Sequence, residues 1–303
     1  KDYASASAIY MTTRKPVFPK NKLYNLNISI KGGSFQTINP SLLYEQRLHK
    51  NITMSISSEF MYTSGKYKFS YAKKNGYDTT EVRKNGDVKM LRAELALFGK
   101  INHGEWKSKV YYYNSERGYP GASVREEPGK FRHQDRQWDE NFFVQGTFHK
   151  SFSSRYSLMI NGKYAYDYLH YLSDPRLDVT TMYVNNHYTQ QEAYLSAAHL
   201  FSISPQWSFS IANDFQWNTL DADLIDFVYP NRYSLLSAIA TSLDFNTFKL
   251  QASLLHTFVR EKTNTEGSQA PDKNEFTPSV VASWQPFQKT DLNFRAFYKK
   301  VFR

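Results

Sequence analysis

Long runs of alternation between apolar and polar residues constrain this chain more than any other feature of its sequence. From Tyr156 to Tyr168 the even positions hold tyrosine, leucine, isoleucine and glycine, while the odd positions are mostly polar. The segment from Trp207 to Trp217 repeats the pattern. Similar runs occupy 52–60, 91–97, 248–258 and 292–302. Successive side chains of a β-strand point to opposite faces, so each run predicts a strand with one apolar and one polar face.

The predicted connections alternate between short and long. Short turns fall near 49–51, 102–105, 151–154, 204–206, 245–247 and 285–290. Long polar loops fall near 64–85, 118–136, 173–187, 221–232 and 261–275. Short turns at one end and long loops at the other are typical of an outer-membrane β-barrel. This division gives about 13 strands, of which the first two lie near 22–31 and 35–48. The strands have about 10–18 residues, whereas about 9–11 residues suffice to cross a membrane.

We therefore predict an all-β, antiparallel transmembrane barrel in which apolar side chains face lipid and polar side chains face the lumen. The lipid-facing set includes Leu158, Ile160, Tyr164, Phe209, Ile211, Leu250 and Leu254. The lumen-facing set includes Asn161, Lys163, Ser210, Asp214, Gln251 and Ser253. Aromatics such as Tyr111, Tyr112, Tyr113, Trp207 and Trp217 are expected near strand ends, where a girdle meets the membrane interface.

Composition is compatible with a barrel and argues against several other classes. Aromatic residues make up 17% of the 303-residue chain, and strands and membrane interfaces both favour them. The mean hydropathy is negative and no apolar run is long enough for a membrane-spanning helix. The net charge of +10 is spread along the chain, which does not favour a nucleic-acid partner. A soluble β protein is the alternative, but its strands average only about 5–6 residues.

Nothing in the sequence predicts catalysis. Cysteine is absent, which excludes disulfides and thiolate metal sites. No nucleophile motif, phosphate loop or dinucleotide fingerprint is present. The strand histidines His149, His170, His199 and His256 are expected to line the lumen or pack at the interface rather than bind metal. We expect no enzyme activity and no cofactor.

Both ends of the chain look interrupted. Residues 1–10 lack the apolar core of a signal peptide, and residues 297–303 still read as a strand. We therefore expect a piece of a longer protein, with an open sheet whose first strand (22–31) and last strand (291–302) each lack a neighbour.

Four segments resemble the TonB-dependent receptors of bacterial outer membranes, especially those of Bacteroidetes. Ser7–Pro16 resembles the last strand of their plug domain, although Tyr10 and Met11 depart from its usual pattern. Gly32–Thr37 followed by Ser41–Tyr44 resembles their first barrel hairpin. The other two segments are Ser115–Gly121, with its Arg-Gly-x-Pro-Gly pattern, and Asn293–Arg303.

The resemblance implies that residues 1–16 end a plug and that residues 17–303 form the first part of a barrel of about 22 strands. It implies energised uptake of a scarce, bulky nutrient, such as cobalamin, a ferric siderophore, haem or a glycan, across the outer membrane of a Gram-negative bacterium. The implied partners are the TonB–ExbB–ExbD complex, outer-membrane lipid and lipopolysaccharide, the small-molecule or metal-chelate ligand, and a surface lipoprotein. A porin-like diffusion channel without TonB coupling is the alternative.

Two groups of residues are candidates for contact with the ligand. Arg117 and Tyr119 lie at the base of a predicted outer loop, where turn geometry alone is the other explanation. Asp221, Asp223 and Asp226, with Tyr229, lie in another outer loop. Their carboxylates have the hard oxygen ligands that Ca²⁺ prefers, but a solvated acidic loop explains them equally.

Overall fold

A computed structural model describes residues 13–19, 21–72, 76, 78–120, 135–173, 183–287 and 292–300. The described part of the chain contains no helix that is long and apolar enough to cross a membrane. Most of the segment that resembles the end of a plug, up to residue 12, lies outside the described residues.

The described residues form fifteen β-strands. They are β1 (Tyr24–Gly33), β2 (Thr37–His49), β3 (Ile52–Thr63), β4 (Lys68–Ala72), β5 (Asp78–Val82), β6 (Val88–Ile101), β7 (Gly104–Tyr119), β8 (Asp135–Ser153), β9 (Tyr156–Ser173), β10 (Val184–Ser202), β11 (Trp207–Ala222), β12 (Asn231–Phe245), β13 (Phe248–Lys262), β14 (Lys273–Trp284) and β15 (Phe294–Lys299).

Thirteen of these strands make one antiparallel sheet, in which the strands follow one another in chain order. The other two strands, β4 and β5, form a separate hairpin between β3 and β6. Because each strand of the main sheet pairs with the next one, the connections fall alternately at its two ends. The predicted strand number and the opposite placement of long loops and short turns are confirmed. The hairpin was not predicted, since 64–85 reads as a polar loop.

The pairing register sorts side chains onto two faces. Ile211 of β11 lies opposite Ile239 of β12, which lies opposite Leu254 of β13. One step along, Ser210 lies opposite Ala240, which lies opposite Ser253. All seven predicted lipid-facing residues share one face, and all six predicted lumen-facing residues share the other. The predicted division of the faces is therefore confirmed.

The apolar face carries large side chains that no other described part of the chain covers. Ile239 and Leu254 are 48% and 41% exposed although they lie in the middle of their strands. Continuous exposed apolar surface of this extent requires a non-aqueous environment, which the hydrocarbon of a membrane supplies.

The polar face is covered in part by residues 13–19. The Arg14 guanidinium donates to Glu45 of β2 at 2.6 Å, and Lys15 pairs with Glu105 of β7. Glu45 lies on the same face as Lys109 and Lys163, by way of the register of β2, β3 and β6–β9. A chain segment that lies against this face identifies it as the inner wall of the partial barrel.

The sheet is open, as expected. Among the described residues, β1 pairs only with β2 and β15 pairs only with β14. Lipid offers no hydrogen bonds to such edges, and each unpaired backbone group costs several kcal/mol there.

One detail of the sequence interpretation was wrong. Tyr111, Tyr112 and Tyr113 lie in the middle of β7 rather than near its end, because β7 continues to Tyr119. Several strands are this long: β8 has 19 residues and β9 has 18. These lengths exceed the about 9–11 residues that a membrane crossing needs.

The two faces should respond oppositely to charge. In the full-length protein in lipid vesicles, Leu254→Arg should lower the free energy of unfolding by about 2–4 kcal/mol, because an arginine near the midplane must leave water for hydrocarbon. The matched variant Ser253→Arg, one residue away on the polar face, should cost far less. Denaturant titrations followed by tryptophan fluorescence measure both. Equal losses would contradict the assignment of the faces.

Candidate functional site

The ends of β7, β8 and β9 at the long loops extend past the length that a membrane crossing needs. Arg117 is the fourteenth residue of the sixteen in β7, counted from Gly104, and a crossing uses only about 9–11. Odd-numbered residues of these three strands share the inner face because the strands pair without a shift here. Alternation therefore brings a set of polar and aromatic side chains together on the inner wall at the outer rim.

This set, the rim cluster, consists of Arg117, Tyr119, Gln137, Asp139 and Tyr171. Arg117 forms an ion pair with Asp139, whose other oxygen accepts from Gln137 at 2.7 Å. The Tyr119 hydroxyl donates to Gln137 at 2.5 Å. The Tyr119 and Tyr171 rings meet edge to face with centroids 6.3 Å apart.

The rim cluster is also held by a buried serine. Ser115 is 1% exposed, and its hydroxyl donates to Asp139 at 3.0 Å and accepts from Arg117 at 3.2 Å. The Tyr171 hydroxyl donates to one oxygen of Asp135 at 3.1 Å, and burial together with this carboxylate raises the pKa of Tyr171. Tyr119 remains 40% exposed, so the cluster presents an aromatic ring and hydrogen-bonding groups to the lumen.

Two polar atoms of this region are buried without a hydrogen-bond partner among the described residues. They are Nε of Arg117 and Oδ1 of Asp135. An unsatisfied buried polar atom costs about 1–3 kcal/mol.

A second network on the opposite face holds the outer loop 64–87 against β7 and β8. Arg136 of β8 donates to both oxygens of Asp87, at 3.2 and 2.8 Å, and to Glu116 at 2.6 Å. Asn85 donates to the backbone carbonyls of Asp135 and Tyr119, at 2.9 and 3.1 Å. These contacts fix the strand ends that carry the rim cluster.

The hydrogen bond from Arg136 is the main cause of a lowered pKa at Asp87. Burial opposes this effect, and the positive charge of Arg136 lowers the pKa by a smaller amount. Sequence reasoning missed Asp87, Arg136 and Asp139. The alternation of the sequence predicts on which face Asp139 lies. Nothing in the sequence predicts that Asp87 pairs with Arg136, which is 49 positions away.

The acidic loop residues do not join the rim cluster. Asp221, the second-last residue of β11, lies on the face of Trp217, which is the apolar face, and β11 is four strands away from β7. Asp223 accepts from the backbone amide of His187 at 2.6 Å. Asp226 and Tyr229 have positive φ angles of 60° and 47° and shape the loop. In the ranges that the structure describes, no group of three or more His, Cys, Asp or Glu side chains is arranged to hold a metal ion.

The four histidines expected in strands, His149, His170, His199 and His256, lie in strands, and the last three contact other side chains. The His170 and His187 rings stack with centroids 4.0 Å apart. His187 exchanges a hydrogen bond with the Tyr168 hydroxyl at 2.6 Å, and His199 does so with Tyr156 at 3.0 Å. These contacts agree with the packing interpretation.

No family model matches the sequence, and no curated protein matches it. Solved structures do match the fold. The FrpB iron transporter from Neisseria meningitidis (F3-3 variant) aligns with a TM-score of 0.66 at 10% identity, over 89% of this chain and 45% of its own. The alcaligin outer-membrane receptor FauA from Bordetella pertussis aligns with a TM-score of 0.57 at 10% identity, over 95% and 45%. The siderophore receptor PiuA from Acinetobacter baumannii aligns with 0.59 at 9% identity, over 89% and 48%.

The chain has the fold of the TonB-dependent outer-membrane receptors. It spans about half the length of the receptors that it matches. The described residues thus form a partial barrel of this fold, and the rim cluster lies on its inner wall at the end of the long loops.

The network that docks loop 64–87 should weaken in acid. Because the pKa of Asp87 is lowered from its ordinary value of 3.8 in the folded receptor, its stabilisation is complete above that value and is lost as the pH falls through the lowered value. Hydrogen exchange of the loop amides should therefore stay constant from about pH 7 to about pH 5 and accelerate below about pH 4, after correction for intrinsic rates.

Two variants check the origin of this effect. Asp87→Asn should exchange faster already at neutral pH and lose the extra acid dependence, whereas Asp78→Asn, an exposed carboxylate of the same loop, should behave as the wild type. An unchanged acid profile in Asp87→Asn would show that another group holds the loop.

Proposed function

We propose that this chain belongs to an outer-membrane receptor that takes up a scarce, bulky nutrient with energy supplied through TonB. The observation that carries the proposal is the two-faced sheet, with an exposed apolar outer face and an inner face that residues 13–19 cover. In this proposal residues 1–16 end a plug, and residues 17–303 form barrel wall.

The chemistry of the inner wall favours one kind of cargo. Several of its cations are paired with carboxylates: Lys109 pairs with Glu94 at 3.0 Å, and Lys163 pairs with Glu192 at 2.9 Å. In the rim cluster Arg117 is likewise paired with Asp139. Paired charges give little attraction for a strongly anionic ligand but keep many donors and acceptors. We infer a cargo with many hydrogen-bonding groups and a small net charge, such as cobalamin or a ferric hydroxamate, rather than a tricatecholate chelate.

Ligand contact is assigned first to Arg117 and Tyr119, because they lie together in the rim cluster and Tyr119 is exposed. Aromatic and arginine side chains contribute strongly to binding at interfaces. Asp221, Asp223, Asp226 and Tyr229 belong to a separate loop, and we propose them as a secondary contact that a large ligand reaches from outside.

TonB coupling is tested by uptake of radiolabelled cyanocobalamin and of ferric hydroxamate into cells that express the full-length receptor. Uptake of one cargo in tonB-positive cells and its loss in tonB-deleted cells is the expected result. Equal uptake in both strains would support the alternative of a porin-like channel without TonB coupling.

Variants of the rim cluster test the binding site. Tyr119→Ala and Arg117→Ala should each raise the Kd of the transported cargo about tenfold, as expected for loss of one good contact. Arg260→Ala is the matched control, because Arg260 pairs with Asp272 at 3.2 Å on the opposite face of the wall. Calorimetry on the purified receptor measures the Kd of the cargo for each of the three variants. Unchanged affinity in both rim variants would exclude the rim cluster as a ligand site.

A further inference from the structure

Residues 13–19, here called the strap, lie against the inner wall without being part of the sheet. Arg14 contacts β2 through Glu45, and Lys15 contacts β7 through Glu105. The Arg47 guanidinium lies 5.2 Å from the centre of the Phe18 ring. The strap is therefore tied to strands that lie on both sides of β3 and β6.

The contact between Arg14 and Glu45 is strongly asymmetric in burial. The Glu45 side chain is 6% exposed, whereas that of Arg14 is 70% exposed. A carboxylate that is removed from water needs a compensating charge and hydrogen bonds. Glu45 obtains them from Arg14 at 2.6 Å and from Asn25, its cross-strand partner, at 3.2 Å.

The strap thus completes the surroundings of the Glu45 carboxylate at this point. Without Arg14, Glu45 would be a buried anion with one described neutral donor, Asn25. The same Asn25 amide also lies 3.4 Å from the carbonyl oxygen of Val17, so it contacts both Glu45 and the strap. Two other inner-wall carboxylates differ, since Glu59 and Glu94 pair with cations of the neighbouring strands.

We propose that Glu45 is a positioning residue that anchors the strap to the inner wall and thereby holds the preceding segment inside the lumen. The role given to that segment rests on the proposed function, in which it is the end of a plug. The anchor itself does not depend on that assignment. Release of the anchor would loosen the strap around Arg14 while leaving the sheet and the contact between Lys15 and Glu105 in place.

The anchor is tested by trypsin cleavage of the purified full-length receptor. The bond between Arg14 and Lys15 is a trypsin site that the anchor protects, whereas the bond before Pro16 is resistant. Glu45→Gln keeps the size and hydrogen-bonding capacity of the side chain but removes its charge, and should raise the rate of cleavage after Arg14 about tenfold. Mass spectrometry of the new amino terminus at Lys15 measures the rate.

Glu59→Gln is the matched control, because it removes the charge of an inner-wall carboxylate that pairs with Arg92 at 3.2 Å and does not contact the strap. This variant should leave cleavage after Arg14 unchanged. Equal cleavage in wild type and Glu45→Gln would overturn the anchor.

If Glu45→Gln does not assemble, Arg14→Met is the second variant, because it leaves the wall intact. Hydrogen exchange of the strap amides should then accelerate about tenfold. Unchanged exchange in that variant would also overturn the anchor.

The consequence for the lumen is tested in cells with vancomycin, which is too large for an occluded receptor. Glu45→Gln should sensitise cells at least about fourfold in inhibitory concentration, and Glu59→Gln should not. Faster cleavage without sensitisation would overturn the claim that the strap holds the lumen-filling segment. TonB-independent uptake by the wild type would overturn the proposed function alone, because the cleavage assay does not depend on TonB.

Discussion

An unbroken ladder of antiparallel hydrogen bonds is the interaction on which the rest of this structure depends. Thirteen strands pair in order from β1 to β15, with only the β4–β5 hairpin set aside. Hydrocarbon provides no donors or acceptors, so a strand in a membrane must satisfy its backbone through its neighbours. Once the backbone is satisfied in this way, side chains are free to alternate between lipid and lumen.

The alternation has a chemical consequence for the inner wall. A face that is shielded from lipid can carry charges, and here it carries ion pairs between neighbouring strands, such as Lys109–Glu94 and Lys163–Glu192. Glu45 is an exception, because its partner Arg14 comes from the strap. The same logic places the rim cluster where the strands leave the membrane: the face is still the inner one, but the surroundings are aqueous.

The sequence was sufficient for the strands, their number and their faces, because a period of two encodes the face of each residue directly. Lys163 and Leu254 could be placed from their neighbours in the chain alone. Contacts between distant segments could not be predicted. The bond between Arg136 and Asp87, and that between Arg14 and Glu45, depend on the pairing register and on the path of the loops, neither of which leaves a local signal.

The candidate site shows the same limit. Arg117 and Tyr119 were identified from a loop motif, but their partners Asp139, Gln137 and Tyr171 emerged only when three strands were paired. The β4–β5 hairpin was missed because its short strands are as polar as a loop. Asp221, Asp223 and Asp226 are near one another in sequence, yet they form no group that could hold a metal ion among the described residues.

The central claim is that one face of this wall contacts lipid and the other does not. Single cysteines along β9, introduced into the cysteine-free described region, can be labelled with an environment-sensitive fluorophore in the full-length receptor in vesicles. Labels at 158, 160 and 164 should show blue-shifted emission, and lipid-soluble quenchers should reduce it. Labels at 159, 161 and 163 should show no blue shift and no quenching by these molecules. Emission that does not alternate with residue number would contradict the account.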